Sequence, residues 1–136
     1  MGILLLLLYM VLLGFRMMIT PGIGFFGKLI LLLPQWMTES SHVPAYGLLT
    51  WLMATGFLWR GWPIRYALSA AMAGAMVFGV WMEVVQGSIP GRTTSADDVL
   101  LNGVGIGLAA LVMLWHAAHQ VKHDESLSNQ PYVLTS

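Results

Sequence analysis

Four apolar runs dominate this chain of 136 residues, and they leave few folds open to it. They cover residues 3–19, 43–59, 64–82 and 99–117. A helix that crosses a bilayer needs about 17–25 mostly apolar residues, and each run meets that length. Only 9% of the residues are charged, against about a quarter in a soluble domain, so the runs have no charged face to turn to water. The sequence therefore predicts an all-α, polytopic membrane protein with four transmembrane helices in one domain, residues 1–119, followed by a flexible polar tail, 120–136. Arg16 is tolerated near the end of the first run if its guanidinium snorkels to the headgroups. The first run lacks a basic leader and a small-residue cleavage pattern, so it reads as an uncleaved helix.

The connections carry the punctuation. Thr20, Pro21 and Gly22 stop the first helix. The following segment, residues 23–33, is too short to span and carries Lys28, which marks it as interfacial or re-entrant. Pro34 ends that segment. Thr38–His42 then introduces the second span, with Ser40 or Ser41 as cap and Pro44 in the first turn. Arg60 and Arg65 bracket a tight connection between the second and third spans. They lie on the side of the N-terminus, as does Lys122, and the basic-inside bias places that side in the cytoplasm, N-in and C-in. Most of the six Trp fall near span ends, where they read as interface anchors.

The scarce polar chemistry gathers in one hairpin, Met82 to Gly105. Glu83 and Gln86, spaced i, i+3, share a face at the end of the third helix. Asp98 and Asn102, spaced i, i+4, share a face at the start of the fourth, and Gly105 continues that stripe. Arg92 lies between them and offers a planar fork for a carboxylate or phosphate. Structural explanations exist for each residue. Ser95-Ala96-Asp97-Asp98 has the spacing of a capping box, Asn102 can join helices, and Glu83 can pair with Arg92. Their coincidence in an apolar chain favours a site, since ionisable groups within a membrane segment default to function. His116, His119 and His123 form a second stripe, read as an amphipathic helix end rather than a metal site.

What the chain lacks also narrows its function. It has no cysteine, which removes disulfides, thiol nucleophiles and Cys-ligated metals. Its formal net charge is zero, so it carries no footprint for nucleic acid. No cofactor or metal is expected.

The run Glu83-x-x-Gln86, Pro90-Gly91-Arg92, Asp98, Asn102 and Gly105 resembles the signature of the VanZ-like family of small bacterial membrane proteins. His42 and Tyr46, in "HVPAY", match the His and the Tyr four residues later that open the second helix in that family. The resemblance covers residues 1–119 and implies a four-helix protein of the bacterial cytoplasmic (inner) membrane, in a family whose name-giving member is associated with teicoplanin resistance. The chain departs from the pattern in two places. Ser95 stands where the family often has an Asp, and Thr38-Glu39 where it often has Asp-Lys.

Two functions are compatible with this pattern. In the first, the protein is an enzyme acting on a lipid-linked or amphiphilic cell-envelope substrate at the outer interface. Glu83 and Asp98 then form the acid/base pair, and His42 shuttles a proton. Arg92 binds an anionic head group, with Gln86, Asn102 and Tyr46 orienting polar groups. In the second, it is a non-catalytic membrane module that binds an anionic lipid or an amphiphilic antibiotic, and the carboxylates merely hold the hairpin together. An ion path is less well supported, because the ionisable groups sit at one end of the helices.

Overall fold

The structure, a computed structural model, describes residues 2–90 and 95–128. Six helices account for most of them: α1 (Gly2–Met18), α2 (Gly24–Ile30), α3 (Gln35–Ser40), α4 (His42–Leu58), α5 (Ile64–Gly87) and α6 (Ala96–Ser128). No strand occurs among the described residues, so the fold is all-α as expected. Two helices are long and apolar enough to cross a membrane, α5 over its whole length and α6 over Ala96–Gln120. The 17-residue helices α1 and α4 stand at the lower end of the roughly 17–25 residues a span requires.

Three local expectations are revised. Residues 23–33 form only the short α2 and a turn, and the chain re-enters a helix directly after Pro34, so Thr38 and Ser40 belong to α3. Ser41 precedes α4 without a side-chain capping bond. Its hydroxyl is taken up instead, donating to the Thr38 carbonyl and accepting from Arg16. The polar segment after His119 continues as helix to Ser128. Residues 120–128 hold no Gly or Pro to stop a helix already nucleated upstream. Residues 129–136 of the expected tail lie outside the described residues.

The bundle packs through ridges of every fourth residue. On α4 the buried series is His42, Tyr46, Thr50 and Ala54. On α5 it is Ala67, Ala71, Ala75, Gly79 and Glu83. On α6 the series is Asp98, Asn102, Ile106 and Ala110, buried from Asn102 onward. Ridges of this spacing interdigitate when two helices cross, and the small residues of α5 let neighbouring backbones come close. Leu49, Ala75 and Ile106 meet in one apolar cluster, and Ala54, Leu68, Ala71, Ala110 and Met113 in another. Outside this core the helices are apolar as well: Leu4, Val11 and Phe15 of α1, Val77 and Val84 of α5, and Leu100 and Leu111 of α6 are all exposed.

Two glycines decide how close the ridges come. A Cβ on Gly105 would stand 2.2 Å from the Val43 carbonyl oxygen, so only glycine lets α6 approach α4 this tightly. A Cβ on Gly79 would stand 3.0 Å from both the Asn102 amide nitrogen and the Tyr46 ring. Val43 follows His42, and Gly105 lies one turn beyond Asn102. The contact that seats the helices therefore also brings His42 and Asn102 together.

Candidate functional site

All three ridges end in polar residues at the same end of the bundle. His42 is the first residue of α4, Glu83 lies near the end of α5, and Asp98 is in the first turn of α6. Chain direction explains the convergence: α5 runs towards this end while α4 and α6 start from it. The His42 Nδ1–Asn102 Oδ1 hydrogen bond is 2.9 Å long. Asn102 Oδ1 can only accept, so Nδ1 carries the proton. The other ring nitrogen, Nε2, lies 3.9 Å from Asp98 Oδ2. One ligand-type atom from each of His42, Glu83 and Asp98 falls within 4.8 Å of the other two. Tyr46 stacks beneath the imidazole, with centroids 6.4 Å apart and planes 13° from parallel.

The capping expectation at α6 is met by a division of labour. Asp98 N–H donates to Ser95 Oγ at 3.3 Å, so Ser95 is the cap. In a capping box the residue three further on would bond back to the Ser95 N–H. Here that N–H donates to Glu83 Oε2 at 3.1 Å. Glu83 thus ties the end of α5 to the start of α6, and the Asp98 carboxylate turns to His42. Asp97 is exposed in the first turn, where a negative charge meets the favourable end of the helix dipole.

Two amides expected to touch a substrate are engaged within the protein. Gln86, 1% exposed, donates from Nε2 to the Met17 carbonyl at 3.0 Å. That oxygen is one of the carbonyls left unpaired at the end of α1. Asn102, also 1% exposed, is committed to His42, and Tyr46 is buried under the ring. These three residues hold the site in place. Arg92, the expected anion-binding residue, lies outside the described residues.

A cavity of about 170 Å³ opens beside His42 and Asp98, with Arg16, Met17, Pro21 and Ile30 among its walls. One water needs only about 10–15 Å³, so a small polar group fits. Asp98, with a side chain 19% exposed, faces this space, while Glu83 is 5% exposed and sits deeper. Arg16 is the residue that sequence reasoning missed. Its Nη2 donates to Ser41 and its Nη1 contacts the Met17 sulfur at 3.9 Å, so it is held at the cavity wall. The signal was available: in an up-and-down bundle the end of α1 shares its level with the start of α4. In the second histidine stripe, the two described side chains have separate partners. His119 Nδ1 pairs with the Trp115 carbonyl at 2.9 Å, His116 packs against Trp51 and Trp115, and the His123 side chain lies outside those described.

The chain matches no family model, no curated protein sequence and no solved structure. Fold and site together define it as an all-helical bundle with an imidazole–carboxylate cluster at one end.

Proposed function

We propose that this chain is a four-span protein of a bacterial cytoplasmic membrane, related to the VanZ-like family, and that it acts on an amphiphilic cell-envelope substrate at the outer membrane–water interface. The apolar outer faces of α1, α5 and α6 support membrane insertion, since exposed apolar surface on this scale marks a lipid or protein contact. All six Trp are among the exposed residues, as interface anchors are. Arg60 and Arg65 lie at the end opposite the site, which fits a cytoplasmic placement for them and an outward placement for the cluster. Phe25, Phe26, Leu32 and Trp36, exposed on the α2–α3 segment, suit a lip lying among headgroups.

The observation that carries an enzymatic reading is the His42–Asp98 pair facing a cavity with Arg16 in its wall. An anionic head group entering the cavity meets the Arg16 guanidinium, joined on this reading by Arg92. Asp98 takes or gives a proton beside His42 Nε2, which Asn102 keeps in one tautomer. Glu83 is the second carboxylate of the pair and holds the α5–α6 junction through Ser95. The specific reaction follows from the substrate, which the test identifies. Lipid extracts from cells making the wild-type chain or Asp98→Asn, at matched membrane levels, are compared by mass spectrometry. A mass-shifted lipid or lipid-linked intermediate present only with Asp98 intact is the expected result.

One observation favours a second reading, a non-catalytic module that binds an anionic lipid or amphiphilic antibiotic. Gln86 through its amide nitrogen, Asn102 through its carbonyl and Tyr46 through its ring are engaged within the protein, which leaves few groups to orient a reacting substrate. Identical lipid profiles and an unchanged phenotype with Asp98→Asn would establish that module and remove the acid/base pair.

A further inference from the structure

From the arrangement of His42, Glu83 and Asp98 we infer that this end of the bundle is a binding site for one divalent transition-metal cation such as Zn²⁺ or Mn²⁺. The inference rests on the functional reading of the same site and adds a cofactor that the sequence pattern did not indicate.

The protonation pattern around His42 is the first support. With the proton on Nδ1 and bonded to Asn102 Oδ1 at 2.9 Å, neutral His42 presents the Nε2 lone pair towards Asp98 Oδ2 at 3.9 Å. A lone pair facing a carboxylate oxygen is repulsive unless a positive charge lies between them. A metal-ligating histidine almost always donates its other ring N–H to a carboxylate, a backbone carbonyl or water, and here the Asn102 carbonyl takes that place.

Charge and geometry agree with this. A proton on His42 neutralises one carboxylate, whereas a divalent cation neutralises both Glu83 and Asp98, and burying an uncompensated carboxylate is costly. At bond lengths of about 2.0–2.2 Å, tetrahedral ligands stand about 3.3–3.6 Å apart. The His42–Asp98 distance is within a few tenths of that range. All three atoms already lie within 4.8 Å of one another, and Glu83 is held there by the Ser95 N–H.

An independent observation lies one turn along α5. Gln86 Oε1 is buried without a hydrogen-bond partner, on the helix face that carries Glu83, while its amide nitrogen is anchored to Met17 at the cavity wall. It is a buried oxygen in want of a donor or a cation, three residues from Glu83 on the same helix. One imidazole with two carboxylates, and no sulfur, suits a borderline divalent metal.

The test uses the full chain in detergent micelles, dialysed against chelator-treated buffer with Mn²⁺ or Zn²⁺ as the only added probe. Bound metal is counted by mass spectrometry, and Mn²⁺-loaded wild-type protein is examined by pulsed electron paramagnetic resonance. The expected result is one ion per chain with a ¹⁴N coupling from one imidazole. His42→Phe, Glu83→Gln and Asp98→Asn should each weaken binding by more than the roughly 10–100-fold typical of losing a ligand's supporting partner. The double variant His116→Gln/His119→Gln should bind as the wild type does. Because the resonance signature is read on the wild type, a variant that fails to fold does not remove the test. Absence of bound metal, binding without nitrogen coupling, or binding lost only with His116 and His119 would overturn the site. A lipid product formed equally by metal-free protein would overturn the cation and leave the enzyme. A bound ion without any Asp98-dependent lipid change would leave the cation and remove the enzyme.

Discussion

The two ends of the bundle treat their polar side chains in opposite ways. At the α4–α5 connection, Arg60 donates to its own helix at the Gly56 carbonyl, 2.7 Å away, and Arg65 lies over the ring of its neighbour Tyr66 at 4.7 Å. These contacts are local and exposed, and each could form in an isolated helix. At the other end local bonds such as Ser41 to Thr38 and Asp98 to Ser95 also occur, but the contacts that assemble the cluster join distant parts of the chain: His42 to Asn102, Glu83 to Ser95, Gln86 to Met17, Arg16 to Ser41. Local contacts dispose of a charge, whereas long-range ones make the charge depend on the fold. Only the second end has the character of a built site, and its geometry stands or falls with helix packing.

The sharpest way to break that comparison is to move α6 away from α4. Gly105→Ala places a methyl group 2.2 Å from the Val43 carbonyl oxygen, and backbone cannot rotate aside as a side chain can. Overpacking costs about 1–3 kcal/mol and at times more, and a backbone collision belongs at the upper end of that range. The expected outcome is a large drop in thermal midpoint in micelles, together with loss of the His42–Asn102 bond. Gly107 has open space where its Cβ would be, so Gly107→Ala is the matched control. It should be neutral or stabilising by up to about 1 kcal/mol, the helix preference of Ala over Gly. Equal behaviour of the two variants would show that the close α4–α6 approach does not set the site.

A smaller effect is expected from Asn102→Leu, which keeps the number of side-chain heavy atoms and removes the acceptor. It leaves the His42 Nδ1–H buried without its partner, a loss of about 1–3 kcal/mol. A double-mutant cycle with His42→Phe separates this from packing. The two changes should couple by about 0.5–3 kcal/mol, because removing both partners restores an apolar contact. Additive costs would mean that the 2.9 Å bond contributes no specificity. Nitrogen NMR of labelled histidine should also show His42 leaving its single tautomer in the Asn102 variant.

How much of this was legible in the sequence differs between fold and site. The apolar runs located all four long helices to within a few residues at most ends, because length and hydropathy are local properties. The end of α6 was missed, since a polar stretch without periodicity can still propagate from a formed helix. In the site, the pairings within one helix were readable from spacing: Glu83 with Gln86, Asp98 with Asn102. The ridge Ala67, Ala71, Ala75, Gly79, Glu83 was also present as a pattern, but only its richness in small residues was used, and the fourfold spacing that delivers Glu83 to the core was not. Partnerships across helices were not readable. Nothing near Gln86 announces the Met17 carbonyl, and Arg16 reads as a snorkelling anchor until the bundle sets it beside Ser41. Ser95 caps α6 through its Oγ and gives its N–H to Glu83, so this position is taken up by structure, and the Glu83 partner is one that its place in the sequence did not announce.

The smallest expected effect tests the other half of the comparison. Arg60→Ala removes a charge whose partner is four residues back on the same helix, with solvent on its remaining side. The Gly56 carbonyl lies in the last turn of α4, where it can pair with water once the guanidinium is gone. Surface changes of this kind usually fall within about 0.5 kcal/mol, so the thermal midpoint should stay within a degree or two of wild type, and the cluster around His42 should be unaffected. A loss comparable to that of Asn102→Leu would mean that Arg60 is coupled to the fold through more than its own helix. The nearest route is Trp59, whose ring lies against Gly2 at the start of α1. In that case the contrast between a solvated end and a built end would have to be replaced by one in which both ends hold α1 in place.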